Sequence, residues 1–192
     1  MGYDAVGRLI AITNAALFVT TNAYDLNDNL IATSDGLGNT WRYSYDSAGR
    51  KLQATDPLSN STFFAYNGNG DLVGVTNALT GVTFYTYDGE GRLASVKDPN
   101  GNTRNTVYDL AGRLHSVADA LNHTNSFQYD AVGNLTATVD ALGVTNQVTA
   151  YDARNQPFAT RDALGNSSGM TYDALQRLTQ PVDALNRTNI LG

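Results

Sequence analysis

Tyr87-Asp88-Gly89-Glu90-Gly91-Arg92-Leu93 is followed, 21 residues on, by Tyr108-Asp109-Leu110-Ala111-Gly112-Arg113-Leu114. Working outward from this pair, Tyr3, Tyr24, Tyr45, Tyr66, Tyr87, Tyr108 and Tyr129 stand at intervals of 21. The next interval, to Tyr151, is 22, and Tyr172 follows after 21 more. One residue is therefore inserted in the seventh interval, near Thr149-Ala150. A fixed period of this length means that one supersecondary unit is stacked many times. Residues 1–192 read as a single array of about nine 21-residue repeats.

Within each unit two turn signals recur. Asp follows the Tyr at Asp4, Asp25, Asp46, Asp88, Asp109, Asp130, Asp152 and Asp173, with Asn67 in the remaining unit. Three residues later comes Gly7, Gly49, Gly70, Gly91, Gly112 or Gly133, or else Asp28, Asn155 or Gln176. About ten residues on, a second acid appears at Asp35, Asp56, Asp98, Asp119, Asp140, Asp162 and Asp183, with Asn14 and Asn77 in the other units. It leads Ala-Leu-Gly or a relative, as in Asp140-Ala141-Leu142-Gly143. An Asx residue that accepts an amide two residues ahead, with Gly supplying a positive φ near the end, describes a type I turn that closes through a left-handed residue. Asn and Asp tolerate that backbone; Gln176 fits it less well.

The stretches between turns are strand-length. Leu9 to Ile12, Leu72 to Val75 and Thr83 to Tyr87 are rich in branched and aromatic residues and too short for helices. Two strands and two tight turns per unit give an all-β fold: tandem β-hairpin repeats forming a continuous antiparallel ribbon of about eighteen strands. At ~4.8 Å per strand a flat ribbon would be roughly 85 Å wide, and strand twist forbids that, so the ribbon is expected to coil or close. In the second strand of each unit the Tyr shares a face with the residue two before it: Tyr43 with Tyr45, Phe64 with Tyr66, Tyr85 with Tyr87, Phe127 with Tyr129. These rings read as packing residues. Arg8, Arg50, Arg92, Arg113 and Arg177 read as solvated turn residues that pair with turn acids or with carbonyls of neighbouring units.

Charge and composition narrow the function. A net charge of −6, with the 12 Lys and Arg scattered singly, argues against a nucleic-acid partner, since phosphate binding needs clustered cations. The same balance disfavours an anionic membrane surface. No run of about 18 apolar residues exists, so membrane insertion is not expected, and Met1-Gly2-Tyr3-Asp4 does not read as a signal peptide. No Cys is present to form a disulfide or a thiolate nucleophile. Because Tyr3 opens the first unit and Gly192 closes the last, the chain reads as a fragment of a larger protein.

The phrase Tyr-Asp-x-x-Gly-Arg-Leu, followed by Asp-x-x-Gly at a spacing near 21, resembles the Rhs or YD-repeat family. That family comprises bacterial polymorphic toxins, insecticidal toxin-complex components and wall-associated proteins, with the animal teneurins as relatives. The resemblance covers nearly the whole chain, most clearly at Tyr87–Leu93 and Tyr108–Leu114. It implies a β-ribbon that spirals into a hollow shell around a C-terminal toxin. It implies, too, a structural encapsulation role, a secreted or cell-surface location, and partners in the remainder of the shell and an enclosed toxin domain. The aspartyl self-cleavage segment of full-length members has no counterpart here; Asp56-Pro57-Leu58 and Asp98-Pro99-Asn100 are ordinary mid-repeat turns. Units eight and nine depart from the pattern at Arg154-Asn155-Gln156-Pro157 and at Pro181, where a strand loses a ladder donor.

Catalytic, cofactor and metal sites are not expected. His115 and His123 belong to one unit only, and no nucleophile–base order, phosphate loop or zinc motif accompanies them. The mid-repeat acids invite a calcium reading, but each turn supplies one acid where calcium loops cluster several oxygens. Turn capping accounts for them better. A competing function is a cell-surface adhesin or carbohydrate-binding array using exposed Tyr and Trp41, with glycans as partners; the single Trp weighs against an aromatic-cage design. A single-layer ribbon also has open sheet edges, through which self-association is expected.

Overall fold

The computed structural model describes residues 1–182; Asp183, the last of the mid-repeat acids, lies outside them. Strands β1 (Gly2–Tyr3), β2 (Leu9–Thr13), β3 (Val19–Tyr24), β4 (Leu30–Ser34), β5 (Thr40–Tyr45), β6 (Lys51–Thr55), β7 (Ser61–Tyr66), β8 (Leu72–Thr76), β9 (Val82–Tyr87) and β10 (Leu93–Lys97) belong to a first compact unit, residues 1–102. A second unit begins at Thr103 and holds β11 (Thr103–Tyr108), β12 (Leu114–Ala118), β13 (Thr124–Tyr129), β14 (Leu135–Val139), β15 (Thr145–Tyr151), β16 (Pro157–Asp162), β17 (Ser167–Tyr172) and β18 (Leu178–Val182). In each unit every strand pairs antiparallel with the next in sequence. The all-β, tandem-hairpin fold read from the sequence is the fold observed.

Both turns of a repeat share one backbone design. In the Tyr-Asp turn at Asp46, the Asp46 amide donates to the Arg50 carbonyl and the Gly49 amide to the Asp46 carbonyl, at 2.9 and 3.0 Å. In the mid-repeat turn at Asp35, the partners are Asn39 and Gly38, at 2.9 and 3.0 Å. The fourth residue is left-handed in both, which is a type I turn closed by a positive-φ residue. Gly fills that place at Gly49 (φ 75°) and Gly38 (φ 87°), yet Leu17, Ser59, Thr80 and Gln176 also take it, at φ 64–69°. The hydrogen bonds around each turn hold side chains that would not choose this region.

The two hairpins differ in one respect that the sequence does not display. Each Tyr-Asp hairpin carries a β-bulge beside its Tyr: Tyr45 faces Lys51 but Ser44 faces Gln53. Mid-repeat hairpins other than β14–β15 run in regular register, as at β4–β5. Ladders therefore climb. Ala32 pairs with Arg42, which pairs with Thr55, whereas the equivalent of Ala32 one repeat later is Gln53. The second unit steps identically, from Ser116 through Ser126 to Val139. The register advances two residues per repeat, about 6.6 Å along the strands for every ~9.6 Å across them, so strands lie at roughly 35° to the normal of the ribbon's direction.

The inserted residue is located differently from the sequence expectation. From Gln147 to Ala150, strand β15 pairs regularly with β16, and the irregularity falls in β14–β15, where Thr138 faces Gln147 but Val139 faces Thr145. The extra residue is Asn146, not one near Thr149-Ala150. A bulge beside a turn disturbs only one end of a ladder, whereas an insertion mid-strand would flip every later side chain to the other face.

A single layer has no true core. Among the described residues Ala137 is the one apolar side chain that is buried. The expected alternation holds: in β5 and β9 the Tyr pairs, Tyr43 with Tyr45 and Tyr85 with Tyr87, are half-buried on one face while Ser44, Phe84 and Thr86 are exposed on the other.

Candidate functional site

The recurring chemistry of the chain is concentrated at the Tyr-Asp turns. Asp46 Oδ1 accepts the amides of Ala48 and Arg50, both at 2.9 Å, and Oδ2 accepts Arg50 Nε at 2.7 Å. Its carboxyl lies below the usual range chiefly because the Arg50 amide donates to it; burial opposes this and the Arg50 side chain adds to it. Asp4, Asp109 and Asp173 repeat the arrangement with Arg8, Arg113 and Arg177. Where Asn stands in the place of Arg its amide does the same, as Asn29 does for Asp25 at 3.0 Å and Asn134 for Asp130 at 2.8 Å.

The Arg residues do more than decorate the turn. Arg8 pairs with Asp4, donates from Nη1 to the carbonyl of Asp25 in the next repeat at 3.0 Å, and covers the Tyr24 ring at 5.0 Å. Tyr24, in turn, donates its hydroxyl to the carbonyl of Leu9 at 3.1 Å. Arg113 repeats this with Asp130 and Tyr129, and Tyr129 donates to Leu114 at 2.9 Å. The Arg-Leu of one turn and the Tyr-Asp of the next thus grip each other. Arg8 and Arg113 retain only 28% and 32% of their side-chain exposure, so they are half-covered links between repeats rather than solvated turn residues.

The Tyr hydroxyl fills a gap in the ladder. Mid-repeat hairpins pair for only three residues beside their turn, from Thr13↔Val19 to Ala11↔Thr21 in β2–β3. Toward the opposite end the strands part, and Tyr24, Tyr45, Tyr66, Tyr87, Tyr129, Tyr151 and Tyr172 each donate to a carbonyl of the preceding repeat at 2.8–3.1 Å. Each hydroxyl thereby gives a backbone carbonyl of the neighbouring strand a donor beyond the end of the paired ladder, and at Leu9 the side-chain amide of Asn22 joins it at 3.0 Å.

At the mid-repeat turns the acids serve the same local purpose. Asp35 accepts the amides of Leu37 and Asn39 and the side-chain amide of Asn39, at 2.7–2.9 Å. His123 stands in the Asn39 position of its own turn, with Nδ1 3.0 Å from Asp119 Oδ2, and His115 is an exposed strand residue of β12. Each carboxylate is occupied by its own turn, and neighbouring turns do not bring three His, Asp or Glu side chains together among the described residues. The second unit also has an open polar depression of about 360 Å³ next to the Asn146 bulge, edged by Gln147, Thr160, Arg161 and Asn166.

The RHS Repeat family model matches residues 24–61, 66–103 and 108–145, each match opening on a Tyr of the array and together covering more than half the chain. A structure of the Photorhabdus luminescens Tc holotoxin pore with the TccC3-D651A mutation aligns with 95% of this chain at a TM-score of 0.59 and 17% identity. The TcdB2-TccC3-Cdc42 crystal structure aligns with 97% at a TM-score of 0.54 and 15% identity. TcdB2-TccC3 alone aligns with 97% at 0.52 and 14%. At such identities the likeness is one of fold, and this chain spans only 13–15% of the length of those chains. No curated protein matches the chain. With three tandem family matches in the frame of its Tyr-Asp turns, and with Tyr, Asp, Gly, Arg and Leu of the repeat each given a structural task, the chain belongs to the RHS Repeat family.

Proposed function

We propose that this chain is a wall segment of a β-shell in a secreted or surface-delivered bacterial toxin of the Rhs or toxin-complex kind, and that the shell encloses a C-terminal effector. The observation that carries this reading is the uniform two-residue stagger per repeat in both units. A register that climbs in one sense tilts the strands against the direction of the ribbon. Such tilt is what sheets have when they close into barrels, and together with the right-handed twist of strands it would let added repeats wind the ribbon around a space. The clamps between repeats support the same role, because they fix each turn against the next and spend the polar groups of the repeat on structure. The part played is mechanical rather than catalytic, and its partners are the rest of the wall and the enclosed cargo.

The test uses the parent protein in which this segment occurs, purified intact and imaged by single-particle electron microscopy, with protease protection measured in parallel. The expected result is a hollow shell containing density, with the segment downstream of the repeats resistant to protease until the shell is opened. An open, elongated ribbon whose downstream segment is cleaved at once would overturn the proposal. Binding of the parent protein to a defined sugar on a glycan array, with no enclosed segment, would favour an adhesin instead.

A further inference from the structure

Five residues after each Tyr of the array stands the side chain that links its repeat to the next. It is Arg, Asn or Gln in every repeat but the fourth, where it is Asp71. The fourth repeat is also the one in which Asn67 replaces the Asp that follows Tyr. The two exchanges belong together. Asn67 Nδ2 donates to Asp71 Oδ2 at 2.9 Å, the reverse of the bond that Arg50 Nε gives Asp46 Oδ2 one repeat earlier at 2.7 Å. The turn keeps its internal bond, and what it presents to the fifth repeat changes from a donor to a carboxylate.

At other junctions the linking side chain covers the left-handed Gly of the following Tyr-Asp turn. Measured from where a Cβ on that Gly would stand, Asn29 Oδ1 lies 3.5 Å from Gly49, Arg50 Nη1 3.4 Å from Gly70 and Arg113 Nη1 3.8 Å from Gly133. Gly91, which follows Asp71, has no atom within 4 Å of that point beyond its chain neighbours, among the described residues. Three groups at this junction are left as acceptors. Tyr24, Tyr66 and Tyr129 each lie under a guanidinium at 4.5–5.0 Å, whereas the Tyr87 ring has no cation over it among the described residues. The carbonyls of Asp25 and Asp130 accept an Arg Nη1 at 3.0 and 3.2 Å, whereas that of Asp88 accepts only the Gly91 amide of its own turn, at 3.1 Å. Asp71 is half-buried, makes no ion pair and leaves Oδ1 without a hydrogen-bond partner among the described residues.

We infer that the Asp71 junction binds a guanidinium group from outside the array, carried by an arginine side chain of a partner polypeptide. A planar guanidinium there makes the contacts Arg8 and Arg113 make at their own junctions: a bond to the carbonyl of the next Asp, a ring face beneath it and a carboxylate beside it. An ammonium is a point charge and does not span the three at once. The nearest internal guanidinium, Arg50, is already held by Asp46 and by the Asn67 carbonyl. Access is from the turn edge, where Gly89 and Gly91 are exposed. One exposed ion pair and one ring contact are each weak, so a free guanidinium is half-bound only on the order of 10 mM. A side chain held against the turn by a wider contact has an effective concentration in that range, which is why the ligand is part of a polypeptide and not a free small cation.

The test is an NMR titration of the chain's amide signals with N-acetylarginine amide, compared with sodium chloride at equal ionic strength. The expected result is a saturable shift of the Asp88 and Gly91 signals, half-complete on the order of 10 mM. The Gly70 signal, whose turn Arg50 already covers, should stay where it is. N-acetyllysine amide should bind at least about threefold more weakly. Asp71→Asn keeps an acceptor for Asn67 and removes the charge, so it should abolish the shift. Asn67→Asp combined with Asp71→Arg supplies the guanidinium from within; it should abolish the response and raise Tm by roughly 2–4 °C. No saturable shift at Gly91, an equal response in the Asp71→Asn chain or at Gly70, equal binding of the lysine probe, or a double variant that still responds would each overturn the inference. The result is separate from the shell proposal, because the site lies within one junction and needs no enclosure.

Discussion

Replacing Tyr45 by Phe removes one hydroxyl and keeps the ring, which isolates the link between repeats. Tyr45 donates to the Leu30 carbonyl at 2.9 Å, at a place where the β4–β5 ladder has already ended at Ala32↔Arg42. Partial burial pushes the Tyr45 phenol above its usual pKa, with Tyr43 and Asp25 adding to it. Loss of a neutral hydrogen bond costs ~0.5–1.5 kcal/mol net, and a carbonyl left without a partner moves the cost toward the upper end. For a chain of this size ~1 kcal/mol lowers Tm by roughly 2–4 °C. Equivalent changes at Tyr24, Tyr66 and Tyr87 lie ~10 Å apart, far enough to add. Together the four should cost roughly 2–6 kcal/mol, a large share of the ~5–15 kcal/mol that holds a typical domain. Urea unfolding followed by circular dichroism measures this. Tyr3→Phe is the internal control: among the described residues that hydroxyl meets the Met1 sulfur at 3.7 Å and no carbonyl, and the residue is 58% exposed, so its removal should be neutral within ~0.5 kcal/mol. Equal effects at Tyr45 and Tyr3 would refute the reasoning.

Other consequences can be checked on the same chain. Thr80 is β-branched and left-handed at φ 65°, so Thr80→Gly should raise stability by ~0.5–1 kcal/mol, the relieved strain exceeding the added chain entropy; Gly49→Ala, at φ 75°, should lower it by ~1 kcal/mol. Thermal melts that rank these two the other way would contradict the turn assignment. A double-mutant cycle between Arg113 and Tyr129, whose guanidinium and ring lie 4.5 Å apart, should return a coupling of ~0.5–1 kcal/mol; zero coupling would make the contact incidental. Acid should unfold the array. The Asp46 and Asp109 carboxyls are depressed chiefly by the amides of Arg50 and Arg113, and those of Asp35 and Asp98 by the side-chain amides of Asn39 and Asn102. Their folded values lie below the unfolded ones, so the stability they contribute is complete above about pH 5 and disappears as pH falls through the folded values, below about pH 4. A urea midpoint unchanged from pH 7 to pH 2 would count against this.

The sequence alone determined the unit, its length and its fold class. A 21-residue period with two Asx-led turns leaves room only for strands of five or six residues, and such strands joined by tight turns must pair antiparallel with their neighbours. It also identified which rings share a face, because side chains alternate along any strand. The partners of Arg8 and of the Tyr hydroxyls were decided in three dimensions, since both reach residues 15–17 positions away that become neighbours only when successive hairpins lie side by side. The bulge beside each Tyr, and with it the two-residue climb of the register, left no mark in the period, because inserting the same residue into every copy keeps the copies identical. The position of the one irregular residue was likewise settled by the ladder: counting placed the insertion near Thr149-Ala150, and the pairing of β14 with β15 assigns it to Asn146. Local chemistry is written along the chain. Register is a relation between strands, and it exists only once they have paired.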